Sequence, residues 1–199
     1  MTQATEKKTP EWLVVAGDHA VVTLSRPTEA NGVKIEKVTL RAPTLRQELA
    51  ADAAVQGDAE QRELLLFAGL AEMGIKDIEG LKLVDYHRLQ AGYEQLVPQF
   101  SDAKEQAAWL TVTPDNALVT LLCPAEINGV MVDKLVMRSP TVLDVRAANR
   151  ESGGDEVRRE VVLFANLTGV NVGELEGLKL VDYYRLQAGY FRLVRDDGV

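Results

Sequence analysis

A single cysteine, Cys123, is all this chain has, so no disulfide can form within it, and a reducing cytosol suits the composition. Histidine is nearly as scarce: His19 and His87 are the only two. No apolar run approaches the ~18 residues of a membrane span. The polar start, MTQATEKKTP, lacks the apolar stretch of a signal peptide. A membrane is therefore not an expected partner. Blocks of lysine and arginine are missing too, since Arg158-Arg159 is flanked by Glu156 and Glu160. The net charge is −8, from 22 basic and 30 acidic side chains. Residues 1–98 and 99–199 each hold 11 basic and 15 acidic side chains, so each half is −4. Nucleic-acid affinity comes largely from phosphate neutralisation on a basic face, so nucleic acid is not expected to bind.

The missing chemistry is as informative. Metal motifs of the HExxH, CxxC and EF-hand types are absent, and no glycine-rich loop follows a strand and opens a helix. No metal and no cofactor is expected. Cys123 precedes Pro124 at a strand end with no histidine base placed beside it, which reads as a packing thiol rather than a nucleophile. Only carboxylates remain as acid–base groups. Asp77 and Glu79, matched by Glu174 and Glu176, and Asp85, matched by Asp182, fall at helix starts, where acidic residues complement the helix dipole. The chain does not read as an enzyme.

What is present is a repeat. Shifting the sequence by 97 aligns Trp12–Val97 with Trp109–Val194 without a gap, and 43 of those 86 positions are identical. The longest match sets GLKLVDYHRLQAGY (Gly80–Tyr93) against GLKLVDYYRLQAGY (Gly177–Tyr190). Solenoid periods are shorter, roughly 20–50 residues, and need three or more copies. Two long units read instead as two repeats at 12–97 and 109–194, joined by a connector at 98–108, with a flexible tail at 1–11 and another at 195–199. Part of the connector is expected to form a short helix.

Each unit opens with strand signals. Val21–Leu24 and Val119–Leu122 are rich in β-branched residues, with Pro27 and Pro124 expected to end them. Asn31-Gly32 and Asn128-Gly129 then announce type I′ hairpin turns into Val33–Leu40 and Val130–Met137. The apolar alternation changes phase between Ile35 and Val38, and between Val132 and Leu135, which predicts a β-bulge. Trp12–Val15 and Trp109–Val112 would add a third strand. Helix A follows Thr44 or Thr141, helix B follows Asp58 or Asp155, and helix C covers 82–97 or 179–194. Strands followed by helices give an α+β class: two repeats, each a β-hairpin or short meander and three helices, related by a pseudo-two-fold axis. The expected core is Val22, Leu24, Val33, Ile35, Leu40, Leu66, Phe67, Leu70, Leu81 and Leu89 with their partners 97 positions on.

Helix C carries a Leu/Tyr stripe at three- and four-residue steps. At that spacing the stripe reads either as core or as a groove for a partner helix. Its residues are Leu83, Tyr86, Leu89 and Tyr93 in the first unit and Leu180, Tyr183, Leu186 and Tyr190 in the second. The tyrosines, with polar tips, suit a protein interface best.

The ordered set of motifs is a strand, a Pro, Asn-Gly, a second strand and Leu40-Arg41-Ala42-Pro43-Thr44, then helices ending in Asp85-Tyr86-His87-Arg88-Leu89-Gln90. It resembles the small tail assembly chaperones of Mu-like and related contractile-tailed phages and prophages. The resemblance covers both units, about 170 of the 199 residues. Members of that family are usually a single such unit, so the duplication is a departure, and it bears on both oligomeric state and any frameshifted longer product. The resemblance implies a non-catalytic protein of the host bacterial cytoplasm, absent from the mature virion. Its implied partner is the tape measure protein, whose apolar helical segments it keeps soluble until the tail tube assembles. The stripe residues are the expected client contacts, on a monomeric pseudo-dimer or a higher oligomer. A structural tail component, either a completion or a baseplate-proximal protein, and a bivalent regulatory binding protein are the competing readings.

Overall fold

The computed structural model describes residues 10–55, 57–98 and 106–195. The helix expected in the connector and most of both tails lie outside them. The chain divides into two compact units, Met1–Pro43 with Gln47–Val97, and Thr44–Arg46 with Pro98–Val199.

The first repeat runs β1 (Leu13–Ala16), β2 (His19–Ala30), β3 (Val33–Arg41), α1 (Leu45–Val55), α2 (Ala59–Ala71), α3 (Ile75–Glu79) and α4 (Leu83–Leu96). The second runs β4 (Leu110–Val112), β5 (Asn116–Ile127), β6 (Val130–Arg138), α5 (Val142–Ser152), α6 (Glu156–Thr168), α7 (Val172–Gly177) and α8 (Leu180–Val194). Each holds a three-stranded antiparallel meander, in the order β1-β2-β3 and β4-β5-β6. The α+β class and the third strand follow the sequence.

The hairpin turns have the backbone that Asn-Gly allows, with φ of 50° and 74° at Asn31 and Gly32 and 51° and 76° at Asn128 and Gly129. The bulge is larger than the phase change implied. Between the pairs Thr23–Lys37 and Thr28–Ile35, the four residues Leu24 to Pro27 face Glu36 alone. Leu121 to Pro124 face Asp133 in the same way. The prolines therefore do not end the strands. A residue without an N–H is tolerated in a bulge, where no ladder bond is required, and β2 and β5 continue through it.

Each repeat has four helices rather than three. Asp58 and Asp155 cap α2 and α6 as their sequence positions suggest, accepting from the Gln61 and Arg158 N–H groups at 3.0 and 2.9 Å. The extra elements are the short α3 and α7. Asp77 accepts from the Gly74 N–H at 3.1 Å, and Asn171 accepts from the Glu174 N–H at 2.9 Å, so each short helix has its own start. Extended residues at Lys82 and Lys179 separate them from α4 and α8.

The long helix of each unit packs across the sheet at a glycine. A Cβ on Gly92 would sit 3.1 Å from a Val22 methyl, and one on Gly189 would sit 3.2 Å from a Val119 methyl. This close approach explains the Ala-Gly-Tyr in both copies. Val22, Leu24, Leu40, Leu66, Phe67, Leu70 and Leu89 are buried, as are all their partners. Three expected core positions are corrected. Val33 and Val130 are exposed at the hairpin tips, Ile35 and Val132 are half-buried, and Leu81 is half-buried while Leu178 is covered. Beyond the bulge the hairpin buries only part of its apolar pattern: Ala30 and Ile127 are covered, and Val33 and Val130 at the tips are not.

The most complete helix cap lies at Thr141. Asp144 accepts from the Thr141 N–H at 2.8 Å and from its hydroxyl at 2.7 Å, and Arg138 holds the same carboxylate at 2.6 and 2.7 Å. The Arg138 hydrogen bond, then those from Thr141, hold the Asp144 carboxyl well below the usual carboxylate range. A depressed folded-state pKa contributes stability above the unfolded value that is lost as pH falls. Acidification below about pH 4 is therefore expected to cost the second unit a small part of its stability, and Asp144→Asn should flatten that acid limb. Circular dichroism against pH checks this, and an unchanged acid limb in the variant contradicts it.

Candidate functional site: the helix C motif and the surface around it

The Asp-Tyr-x-Arg-Leu-Gln segment of the long helix is the most conspicuous duplicated chemistry, and it faces inward. Asp85 is buried in the first turn of α4 and accepts the Ser25 N–H at 2.6 Å and the Ser25 hydroxyl at 2.8 Å. Asp182 does the same job in α8, accepting the Leu122 and Cys123 N–H groups at 2.5 and 3.1 Å. Both carboxylates cap the backbone that the bulge removes from the strand ladder. One turn on, Arg88 donates to the Thr23 carbonyl at 2.9 Å and lies over the Trp12 ring, 5.3 Å from its centre. Arg185 repeats this with the Thr120 carbonyl at 2.8 Å and Trp109 at 5.0 Å. Burial pushes the Asp182 carboxyl up from its ordinary value and the Arg185 guanidinium down, each partly opposed by the other's charge.

The aromatic stripe is also engaged. The Tyr86 hydroxyl donates to Glu63 at 2.8 Å, and Gln90 donates to the same oxygen at 2.7 Å. Tyr183 and Gln187 meet Glu160 at 2.7 and 2.6 Å. Burial first, then the adjacent glutamate, pushes both tyrosine hydroxyls far above their usual range. Phe67 packs between Tyr86 and Tyr93 at 5.7 and 5.5 Å, and Phe164 between Tyr183 and Tyr190 at 5.6 and 5.2 Å.

The eight stripe residues thus separate by environment. Leu89, Leu180, Tyr183 and Leu186 are buried; Tyr86, Tyr93 and Tyr190 are half-buried; Leu83 is exposed. At the far end of α8, Phe191 and Val194 are about half exposed, and Phe191 sits edge-on to Tyr190 at 5.8 Å. Sequence reading passed over Phe191 because Glu94 stands at its aligned position; the signal was that one aromatic-for-charge difference.

The paired carboxylates also find structural partners. Asp77 accepts the Asn31 N–H at 3.1 Å and Glu174 the Asn128 N–H at 2.7 Å, tying each hairpin tip to a short helix. Among the described residues, no group of three or more His, Cys, Asp or Glu side chains is placed to hold a metal ion. Nor is any described helix long and apolar enough to cross a membrane. Asp85, Arg88, Asp182 and Arg185 are thus engaged by the bulge and the strand beside it, and Tyr86 and Tyr183 by glutamates.

None of the curated proteins and none of the solved structures compared matches the chain. A family model does, twice: the phage tail assembly chaperone proteins described as "E, or 41 or 14", over residues 21–98 and 118–195. Each match begins in the central strand and ends at the close of the long helix, so it takes in the bulged hairpin and all four helices and leaves out the first strand of each sheet. This chain belongs to the phage tail assembly chaperone family, as a tandem duplication of its unit.

Proposed function

We propose that the chain binds the tape measure protein in the host bacterial cytoplasm, keeps its apolar helical segments soluble until the tail tube forms around it, and is left out of the finished virion. It acts by binding alone. The observation that carries this reading is that Asp85, Arg88, Asp182 and Arg185 are all bound to the sheet, while the end of α8 presents Phe191 and Val194 outward beside Arg192. Acidic net charge helps keep a complex with an apolar client dispersed.

Of the eight stripe residues, the half-buried Tyr93 and Tyr190 are the client contacts kept in this proposal, extended in the second unit by Phe191 and Val194. Leu89, Leu180, Tyr183 and Leu186 are committed to packing and are not offered to a client.

Phe191→Asp tests the assignment, because the side chain is half exposed and its loss leaves the core intact. A central aromatic contact commonly contributes ~2 kcal/mol or more, so the variant should bind the tape measure encoded nearby roughly thirtyfold more weakly. Pull-down from co-expressing cells, with circular dichroism as the control for folding, gives the comparison. Binding equal to wild type removes this end of the helix from the client site. Mass spectrometry of purified particles addresses the other half of the proposal: peptides of this chain at stoichiometric level would make it a structural tail component.

A further inference from the structure

The start of the long helix has very different exposure in the two copies, although Gly80–Tyr86 and Gly177–Tyr183 are identical in sequence. Leu83 and Val84 are 69% and 50% exposed, whereas Leu180 and Val181 are each 1% exposed. The second compact unit includes the segment Thr44–Arg46, which lies against the residues just before this helix start. Within that unit Thr44 forms an antiparallel bridge with Lys179, and the Leu45 N–H donates to the Leu178 carbonyl at 3.0 Å. Arg46 donates to the Gly173 carbonyl at 2.5 Å and pairs with Glu176 at 3.6 Å. Leu45 and Leu178 are buried in consequence.

Moving both sides of this contact by 97 residues gives two bare surfaces. The plug Thr44-Leu45-Arg46 becomes Thr141-Val142-Leu143, in which Val142 and Leu143 are 77% and 71% exposed. Its seat becomes Leu81-Lys82-Leu83-Val84, with Glu79 in the place of Glu176. Plug and seat keep the residues that make the bridge, Thr141 and Lys82, together with an apolar residue on each side of the N–H to carbonyl bond, Val142 and Leu81. Leu45 becomes Val142, which stays apolar, Gly173 becomes Lys76, and Arg46 becomes Leu143, which adds apolar area opposite a seat whose Leu83 and Val84 are exposed. Exposed valines and leucines at the first turn of a helix cost solubility unless something covers them.

We propose that a second copy of this chain covers them: Thr141–Leu143 at the start of α5 in one copy docks on Leu81–Val84 at the start of α4 in the next. Plug and seat are different surfaces on the same chain, so the contact is heterologous and propagates head to tail, closing into a ring if the rotation permits. The association uses no part of the proposed client contacts at Tyr93, Tyr190 and Phe191, and it replaces the monomeric pseudo-dimer expected from sequence.

Leu83→Glu and Val142→Glu test this, each changing a side chain that is more than half exposed. Light scattering and sedimentation velocity from nanomolar to submillimolar protein should show concentration-dependent association of the wild type. Each variant alone should be monomeric, its association weakened at least roughly thirtyfold. Mixed one to one they should form a dimer and stop there, since Leu83→Glu keeps a good plug and Val142→Glu keeps a good seat. If Val142→Glu misfolds by circular dichroism, Leu143→Glu replaces it. A wild type that stays monomeric throughout overturns the proposal, even if Leu83→Glu then loses the tape measure protein, which would give the face to the client. So does a mixture in which no dimer appears.

Discussion

Replacing Asp182 with alanine is expected to destabilise the second unit by about 3–5 kcal/mol, the cost of breaking a buried charged network on one side. The Leu122 and Cys123 N–H groups lose their acceptor, and Arg185 loses the carboxylate 4.0 Å from its guanidinium. Folded domains hold only about 5–15 kcal/mol in reserve, so the unit should be visibly melted at moderate urea. Asp85→Ala should cost less, because Arg88 beside it is half-buried where Arg185 is buried, so water can replace part of the lost pairing. The two variants therefore rank a shared role against its burial. Negligible losses in urea titrations of both would show that the bulge cap is not what holds the helix to the sheet. The pH dependence has a definite sign. Burial raises the Asp182 pKa in the folded state, so its contribution to stability falls as pH rises above the ordinary carboxylate value. Asp182→Asn should lose that slope.

Tyr183→Ala has the second largest expected effect, about 3–5 kcal/mol, in the range of large aromatic truncations in cores. The side chain is buried, packs on Phe164 and donates to Glu160, so a cavity and a lost hydrogen bond add together. Tyr86→Ala should cost less, since Tyr86 is only half-buried. Tyr183→Phe separates the two parts: Glu160 keeps Gln187 as a donor, and the loss should be about 1 kcal/mol. Thermal melts of the three variants decide the matter. A Tyr183→Ala protein that melts like wild type would place this ring outside the core and return it to the client surface.

Local physics wrote much of this fold into the sequence. Asn-Gly demands positive φ, Asp58 and Asp155 sit one residue before their helices, and the phase slip after Ile35 marks a bulge. What was hidden depends on distance along the chain. Asp85 and Asp182 stand at helix starts, where the dipole explains an acidic residue adequately, yet their partners lie some 60 residues earlier in the bulge. Pro27 and Pro124 look like strand ends because a ladder has no use for proline; only the bulge explains how the strand passes through. Burial was the least legible property. Leu83 and Leu180 share their sequence neighbours and differ in exposure from 69% to 1%, so nothing local to the helix could have separated them. For the same reason the stripe could not be divided into core and contact residues before the environment of each tyrosine was known.

This protein is expected to keep a tape measure protein in solution. The direct measurement is the soluble fraction of the tape measure encoded nearby, produced alone, with this chain, and with the Phe191→Asp variant. The tape measure should be largely insoluble alone, soluble and co-purifying with the wild-type chain, and poorly retained by the variant. A tape measure equally soluble with and without this chain, or insoluble in both cases, would contradict it.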